Sequence, residues 1–207
     1  MNRPLILGIL AMAATVVASN ILVQFLLGSY LTWGAFTYPV AFLVTDVMNR
    51  VYGAKAARKV VVAGFVTGIA CSFVGTQITG EFGPLVTWRI AAGSGLAFLA
   101  AQLLDIAVFD RLRQGRWWRA PLVSTLAGSS VDTALFFTIA FSASLAFIEP
   151  GNDVGWANEA TALLGLGPVL PLWVSLAVAD WLVKLSLAAL ALVPFRAITR
   201  RLAEGVV

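Results

Sequence analysis

The chain has 207 residues, 60% of them hydrophobic and 12% charged, with a formal charge of +4 and a mean hydropathy of +0.91. A soluble domain carries roughly 25% charged residues, so a water-soluble fold is excluded. A single cysteine, Cys71, excludes an internal disulfide, and the absence of histidine removes Ser-His-Asp and Cys-His catalysis and His-ligated zinc. No GxxxxGK(S/T) run is present to bind ATP, and the length suits one domain over residues 1–207.

The first apolar segment, about Leu5 to Leu27, is long enough for the ~20 residues that cross a bilayer. It outlasts the ~7–15 residues of a signal-peptide core, and further hydrophobic segments follow, so it is expected to stay as a span. Ala14-x-x-x-Ala18 allows close helix approach. Asn20 and Gln24 sit together near its far end, suited either to interhelical hydrogen bonds or to a ligand.

The second segment, about Ala35 to Tyr52, puts Tyr38, Phe42, Thr45, Asp46 and Asn49 on one helical face, with Val40, Leu43, Val44 and Val47 on the other. The third, about Val60 to Gly75, has no charge and carries a Gly64-x-x-x-Gly68 packing notch. Residues 76–88, with Glu81 and Gly83-Pro84, read as a loop. The fourth segment follows Arg89 to about Phe109 and aligns Ser94, Phe98, Gln102, Asp105 and Phe109.

Residues 110–119 hold four arginines and two tryptophans. Between two spans, a cytoplasmic loop with interfacial tryptophans accounts for these better than a nucleic-acid patch does. The fifth segment, about Leu122 to Ile148, carries Thr125, Ser129, Asp132, Thr133 and Phe136 on neighbouring positions of one side. After a loop with Glu149, Asp153 and Glu159, the sixth runs from about Leu170 to Pro194 and aligns Trp173, Ala177, Asp180 and Lys184.

Arg3, Arg50, Lys55, Arg58, Lys59, the four arginines of 110–119 and Arg196, Arg200 and Arg201 are twelve of the fourteen basic residues. All fall on one side of a six-span arrangement, and the loop acids fall on the other. The positive-inside rule then places both termini in the cytoplasm. The expected architecture is an all-α integral membrane protein of six transmembrane helices, N-in and C-in.

Asp46, Asp105, Asp132 and Asp180 lie within these segments, where each carboxylate costs at least ~2.5–3.5 kcal/mol near the bilayer centre. Simple structural accounts are an i,i+4 pair of Asp46 with Arg50, the same for Asp180 with Lys184, and Asp105 reaching Arg111 or water. Asp132 has no basic residue within a turn and is the strongest candidate for contact with a ligand. Several carboxylates with few internal cations disfavour an anion, and aromatic faces favour a flat ligand. A carboxylate accepts two parallel hydrogen bonds from a guanine-type N1–H and exocyclic amine, while an amide or Lys184 can donate to the carbonyl oxygen. The residues alone lead to a small, planar, polar solute, neutral or cationic.

Ala18-Ser19-Asn20, Trp33 to Pro39 with Thr45-Asp46 and Val51-Tyr52-Gly53, Arg89-Ile90-Ala91, Gln102 to Asp105, Pro121 to Leu126 and Val131-Asp132-Thr133 resemble, in order and spacing, blocks of the bacterial queuosine precursor transporters. That group, the vitamin-uptake-transporter-like or VUT family, is similar to the substrate-binding subunits (S-components) of energy-coupling-factor importers. The resemblance covers residues 15 to 145; the sixth segment is matched mainly by its polar pair, and the loop from Glu149 to Leu170 is not matched.

The resemblance implies six helices in a bacterial inner membrane and uptake of 7-deazaguanines, as the nitrile or aminomethyl precursor or as queuine, for tRNA modification. It implies no cofactor, no metal and no nucleic-acid partner, with either a homodimer or an energising partner. The candidate substrate-binding residues are Asn20, Tyr38, Phe42, Asp46, Arg89, Phe98, Gln102, Asp105, Ser129, Asp132, Thr133 and Lys184. A membrane enzyme built on paired aspartates is the rival class, but neither YD with GxGD nor a DG–AR–G–D–D run is present. A binding subunit that depends on separate ATPases is a second rival, which the residues do not distinguish.

Overall fold

The computed structural model describes residues 3–81 and 83–204. Seven α-helices account for most of them: α1 Arg3–Leu22, α2 Gly34–Thr37, α3 Val40–Tyr52, α4 Ala54–Gln77, α5 Trp88–Leu112, α6 Arg119–Phe141 and α7 Leu172–Glu204. Three two-stranded hairpins lie in the connections, the longest pairing Ala160–Ala162 with Val169–Pro171.

Five helices, α1, α4, α5, α6 and α7, are long and apolar enough to cross a membrane. The second expected segment is not one helix. Pro39 has no N–H to continue the ladder of α2, so the chain restarts there, and α3 has 13 residues. That is ~20 Å at helical rise, short of a ~30 Å hydrocarbon core. Because Tyr38 and Pro39 both keep right-handed helical dihedrals, α2 and α3 follow one another with only a break between them.

Other boundaries also move. The first helix stops at Leu22, and residues 26–32 form a hairpin turned at Gly28, whose φ is +68. The fifth stops at Phe141 and gives way to a 3-10 helix at Ala143–Ile148. The last helix passes through Pro194 to Glu204, so the three C-terminal arginines stand on a helix rather than in a tail. Gly53, at φ 84, is the sole residue between α3 and α4, a reversal that a side chain would strain.

Close contacts fix the path. A Cβ on Gly64 would lie 2.6 Å from Met12 and 2.9 Å from Phe98, so the expected notch seats α1 and α5 against α4. Gly93 meets Ile139 and the Phe136 carbonyl, and Gly128 meets the Ala101 carbonyl, which runs α5 and α6 antiparallel at short range. Polarity is inverted relative to a soluble protein. Leu10, Val66, Leu96 and Leu190 are more than half exposed, while Arg89, Gln102, Asp105, Asp132 and Lys184 are buried. An apolar cluster of α1, α3, α4 and α5 fills one side of the interior. The polar side chains occupy the other, between α3, α5, α6 and α7.

Candidate functional site

Two buried polar clusters lie side by side. The first is built on α6 and α7. Lys184 Nζ is 2.7 Å from Asp132 Oδ2 and 2.5 Å from Asp180 Oδ2, and donates to Thr133 Oγ1 at 3.0 Å. Thr133 in turn donates to Asp180 at 2.9 Å, and Tyr38 Oη donates to Asp132 Oδ1 at 2.9 Å. The ammonium also lies 5.3 Å from the centre of the Tyr38 ring.

Asp180 and Lys184 form the expected i,i+4 pair. Asp132 is not unpaired: its cation comes from a helix 52 residues away. With three hydrogens and three oxygen partners, Lys184 has no donor left for a ligand carbonyl, contrary to the expectation from sequence.

The second cluster joins α3, α5 and the start of α6. Asp46 accepts from Thr125 at 3.1 Å and Ser124 at 3.3 Å. Its expected partner Arg50 instead donates to the Arg113 carbonyl at 2.8 Å, because the basic side chain reaches the end of the bundle while Asp46 faces inward. Asp105 does not pair with Arg111. It is fully buried beside Asp46, Ser124 and Thr125; the Thr125 hydroxyl donates to Asp46, and the Ser124 hydroxyl is shared between Asp46 and the Pro121 carbonyl. Neither Asp105 oxygen accepts from a hydroxyl or N–H group, and the neighbouring Asp46 carboxyl adjoins it.

One turn before Asp105, Gln102 accepts from Thr45 Oγ1 at 2.5 Å, which orients its amide, and its Nε2 is likewise without a partner. A buried pair of acceptors and a buried N–H donor on one face of α5 are thus all open. Around them stand Phe42, whose ring would touch a Cβ on Gly128, and the edge-to-face partners Tyr38–Phe42 and Tyr38–Phe98, both with ring centroids 6.3 Å apart. A crevice of about 10 Å³, bordered by Phe42, Asp46, Thr125 and Ala188, reaches this cluster between α3 and α7. That is room for about one water.

Three candidates stand apart. Asn20 donates to the Val16 carbonyl of its own helix at 2.9 Å and makes no hydrogen bond to another helix among the described residues. Ser129 is buried but turned onto Leu126 O at 3.2 Å. Arg89 is a clamp at the end of the bundle: Nε donates to Ile139 O at 2.5 Å and Nη2 to Ser142 O, capping the last carbonyls of α6. Glu149 caps the start of α5 in return, accepting from Arg89 N at 2.9 Å and Trp88 N at 3.3 Å. Among the residues outside the candidate set, Ser124 and Thr125 hold Asp46 and Thr45 orients Gln102. Thr45 and Thr125 share the polar faces of their helices in sequence, whereas Ser124 carries no such mark. Among the described residues, no group of three or more His, Cys, Asp or Glu is placed to hold a metal ion.

Residues 32–199 match the family described as "Putative vitamin uptake transporter". The chain is 42% identical over 140 residues to the "Queuosine precursor transporter" of Escherichia coli (strain K12), covering 61% of this chain and 63% of that protein. It is 39% identical over 139 residues to the "Probable queuosine precursor transporter" of Haemophilus influenzae (strain ATCC 51907 / DSM 11121 / KW20 / Rd), with 61% and 57% covered. The protein of the same name from Bacillus subtilis (strain 168) is 33% identical over 136 residues, with 56% and 58% covered. The chain thus spans about three-fifths of the length of these curated relatives. No solved structure matches it. With 168 of its residues inside the family match and a polar interior enclosed by apolar helices, the chain belongs to the vitamin uptake transporter family, a family of transporters rather than enzymes.

Proposed function

We propose that this chain takes up queuosine precursors, the 7-cyano and 7-aminomethyl 7-deazaguanines or queuine, across the bacterial inner membrane for tRNA modification. The names of its relatives support the substrate class. The observation that carries the chemistry is the open set on α5: two Asp105 oxygens that no hydroxyl or N–H group reaches and Gln102 Nε2 without an acceptor. A guanine-type edge offers the complement, two parallel N–H donors beside a carbonyl oxygen. The carboxylate takes the N1–H and exocyclic amine, and the amide of Gln102 donates to the carbonyl. Phe42, Tyr38 and Phe98 supply aromatic surface for the ring.

The reading centres on Asp105 rather than Asp132, since Asp132 is engaged by Lys184 and Tyr38. The crevice beside Asp46 is too small for a bicyclic base, so entry requires α7 to part from α3. The membrane arrangement we propose has six crossings with both termini in the cytoplasm, the α2–α3 pair making the second. The S-component-like fold belongs to this proposal; uptake by the chain alone and dependence on separate ATPase partners are its two energetic alternatives. Uptake by the purified chain in liposomes without ATPases decides between them.

The substrate test uses a strain unable to make queuosine precursors but able to process them. Expression of this chain should restore queuosine in its tRNA from low external deazaguanine. No rescue with the protein confirmed in the membrane refutes the substrate assignment.

A further inference from the structure

At the end of the bundle where α3 finishes and α6 begins lies a groove of about 510 Å³, lined by Arg50, Val51, Trp117, Phe195, Arg196, Thr199 and Arg200. No carboxylate lines it, and among the residues whose side chains are described, which stop short of Glu204, neither Arg196 nor Arg200 has an acidic partner. Arg196 stacks on the Trp117 indole, its guanidinium carbon 4.5 Å from the ring centre. The stack holds the fork in one orientation and leaves its N–H edges free, the arrangement suited to bidentate binding of a phosphate.

What distinguishes a lipid from a free anion is the surface that continues from the groove. Val193, Arg196 and Arg200 fall at i, i+3 and i+7 on α7, and Val193 and Leu190 are among the most exposed apolar residues, at 74% and 65%. A molecule whose phosphate met the arginines would lay its apolar part along Leu190 and Val193. We propose that this groove is a binding site for the headgroup of an anionic phospholipid, with its acyl chains against the adjoining face of α7. The site is separate from the deazaguanine reading and does not depend on it. It requires only that α7 faces lipid.

The test titrates the detergent-purified full chain with phosphatidylglycerol, phosphatidylcholine and inorganic phosphate, with bound lipid measured by native mass spectrometry. Phosphatidylglycerol is expected to bind roughly ten- to thirty-fold tighter than phosphatidylcholine, less so as salt rises. The double variant Arg196→Gln/Arg200→Gln should lose that preference, and Arg196→Lys, which keeps the charge without the fork or stack, should retain part of it. If the double variant melts early without lipid, Arg200→Gln alone carries the comparison. Equal affinity for the two lipids, or an unchanged preference in the variants, overturns the proposal. Displacement of phosphatidylglycerol by inorganic phosphate at equal concentration also overturns it, by making this a free-anion site.

Discussion

Replacing Asp105 by asparagine should move stability and binding in opposite directions. The Asp105 carboxyl is fully buried, accepts from no hydroxyl or N–H group and adjoins the carboxyl of Asp46. An unsatisfied buried polar group costs about 1–3 kcal/mol, and more when charged. The amide of Asp105→Asn removes one of two facing carboxyls and supplies N–H donors toward Asp46, so folding should gain on the order of 1–3 kcal/mol. The ligand would lose a carboxylate that accepts two of its N–H groups. At ~1.5–3 kcal/mol for each hydrogen bond to a charged group, that is about 3–6 kcal/mol, or roughly 10²- to 10⁴-fold in Kd. A detergent melting curve and a titration with 7-cyano-7-deazaguanine, run on the same preparation, read both effects. A variant that melts lower than the parent and binds equally well would refute the reasoning, because Asp105 would then be held by partners of its own.

Lys184→Met leaves Asp132 and Asp180 buried without their shared cation and should cost about 3–5 kcal/mol in the same melting assay. Asp132→Asn, which leaves Asp180 on the lysine, should cost about 1–3 kcal/mol, so loss of uptake there must be read beside the melting curve. A Cβ on Gly128 would lie 2.8 Å from Phe42 and 3.0 Å from the Ala101 backbone carbonyl, and Gly128→Ala should therefore destabilise by about 1–3 kcal/mol and weaken binding as α6 is pushed from Asp105. A reporter fused after Val207 should be active in the cytoplasm, and activity outside would refute the six-crossing arrangement.

Composition and periodicity were enough to make this a mostly helical membrane chain with a polar interior. An apolar face must meet lipid and a buried charge must face inward, and both leave a local imprint at i, i+3 and i+4. Phe42, Thr45, Asp46 and Asn49, and Phe98, Gln102, Asp105 and Phe109, read as shared faces in sequence and are buried together in the structure. The i,i+4 pair of Asp180 and Lys184 was legible for the same reason.

Partners across helices were not legible. Local spacing paired Asp46 with Arg50 and left Asp132 alone, whereas packing sends Arg50 to the end of the bundle and brings Lys184 onto Asp132 from 52 residues away. The break at Pro39 and the run of α7 through Pro194 show the same limit. One proline restarts the helix where its missing N–H ends the ladder, and the other is carried through within a 33-residue helix. Which carboxylate is left open depends on how many donors the neighbouring helices bring. Only the tertiary structure, by turning the Thr125 hydroxyl onto Asp46 and the Ser124 hydroxyl onto Asp46 and the Pro121 carbonyl, made that residue Asp105.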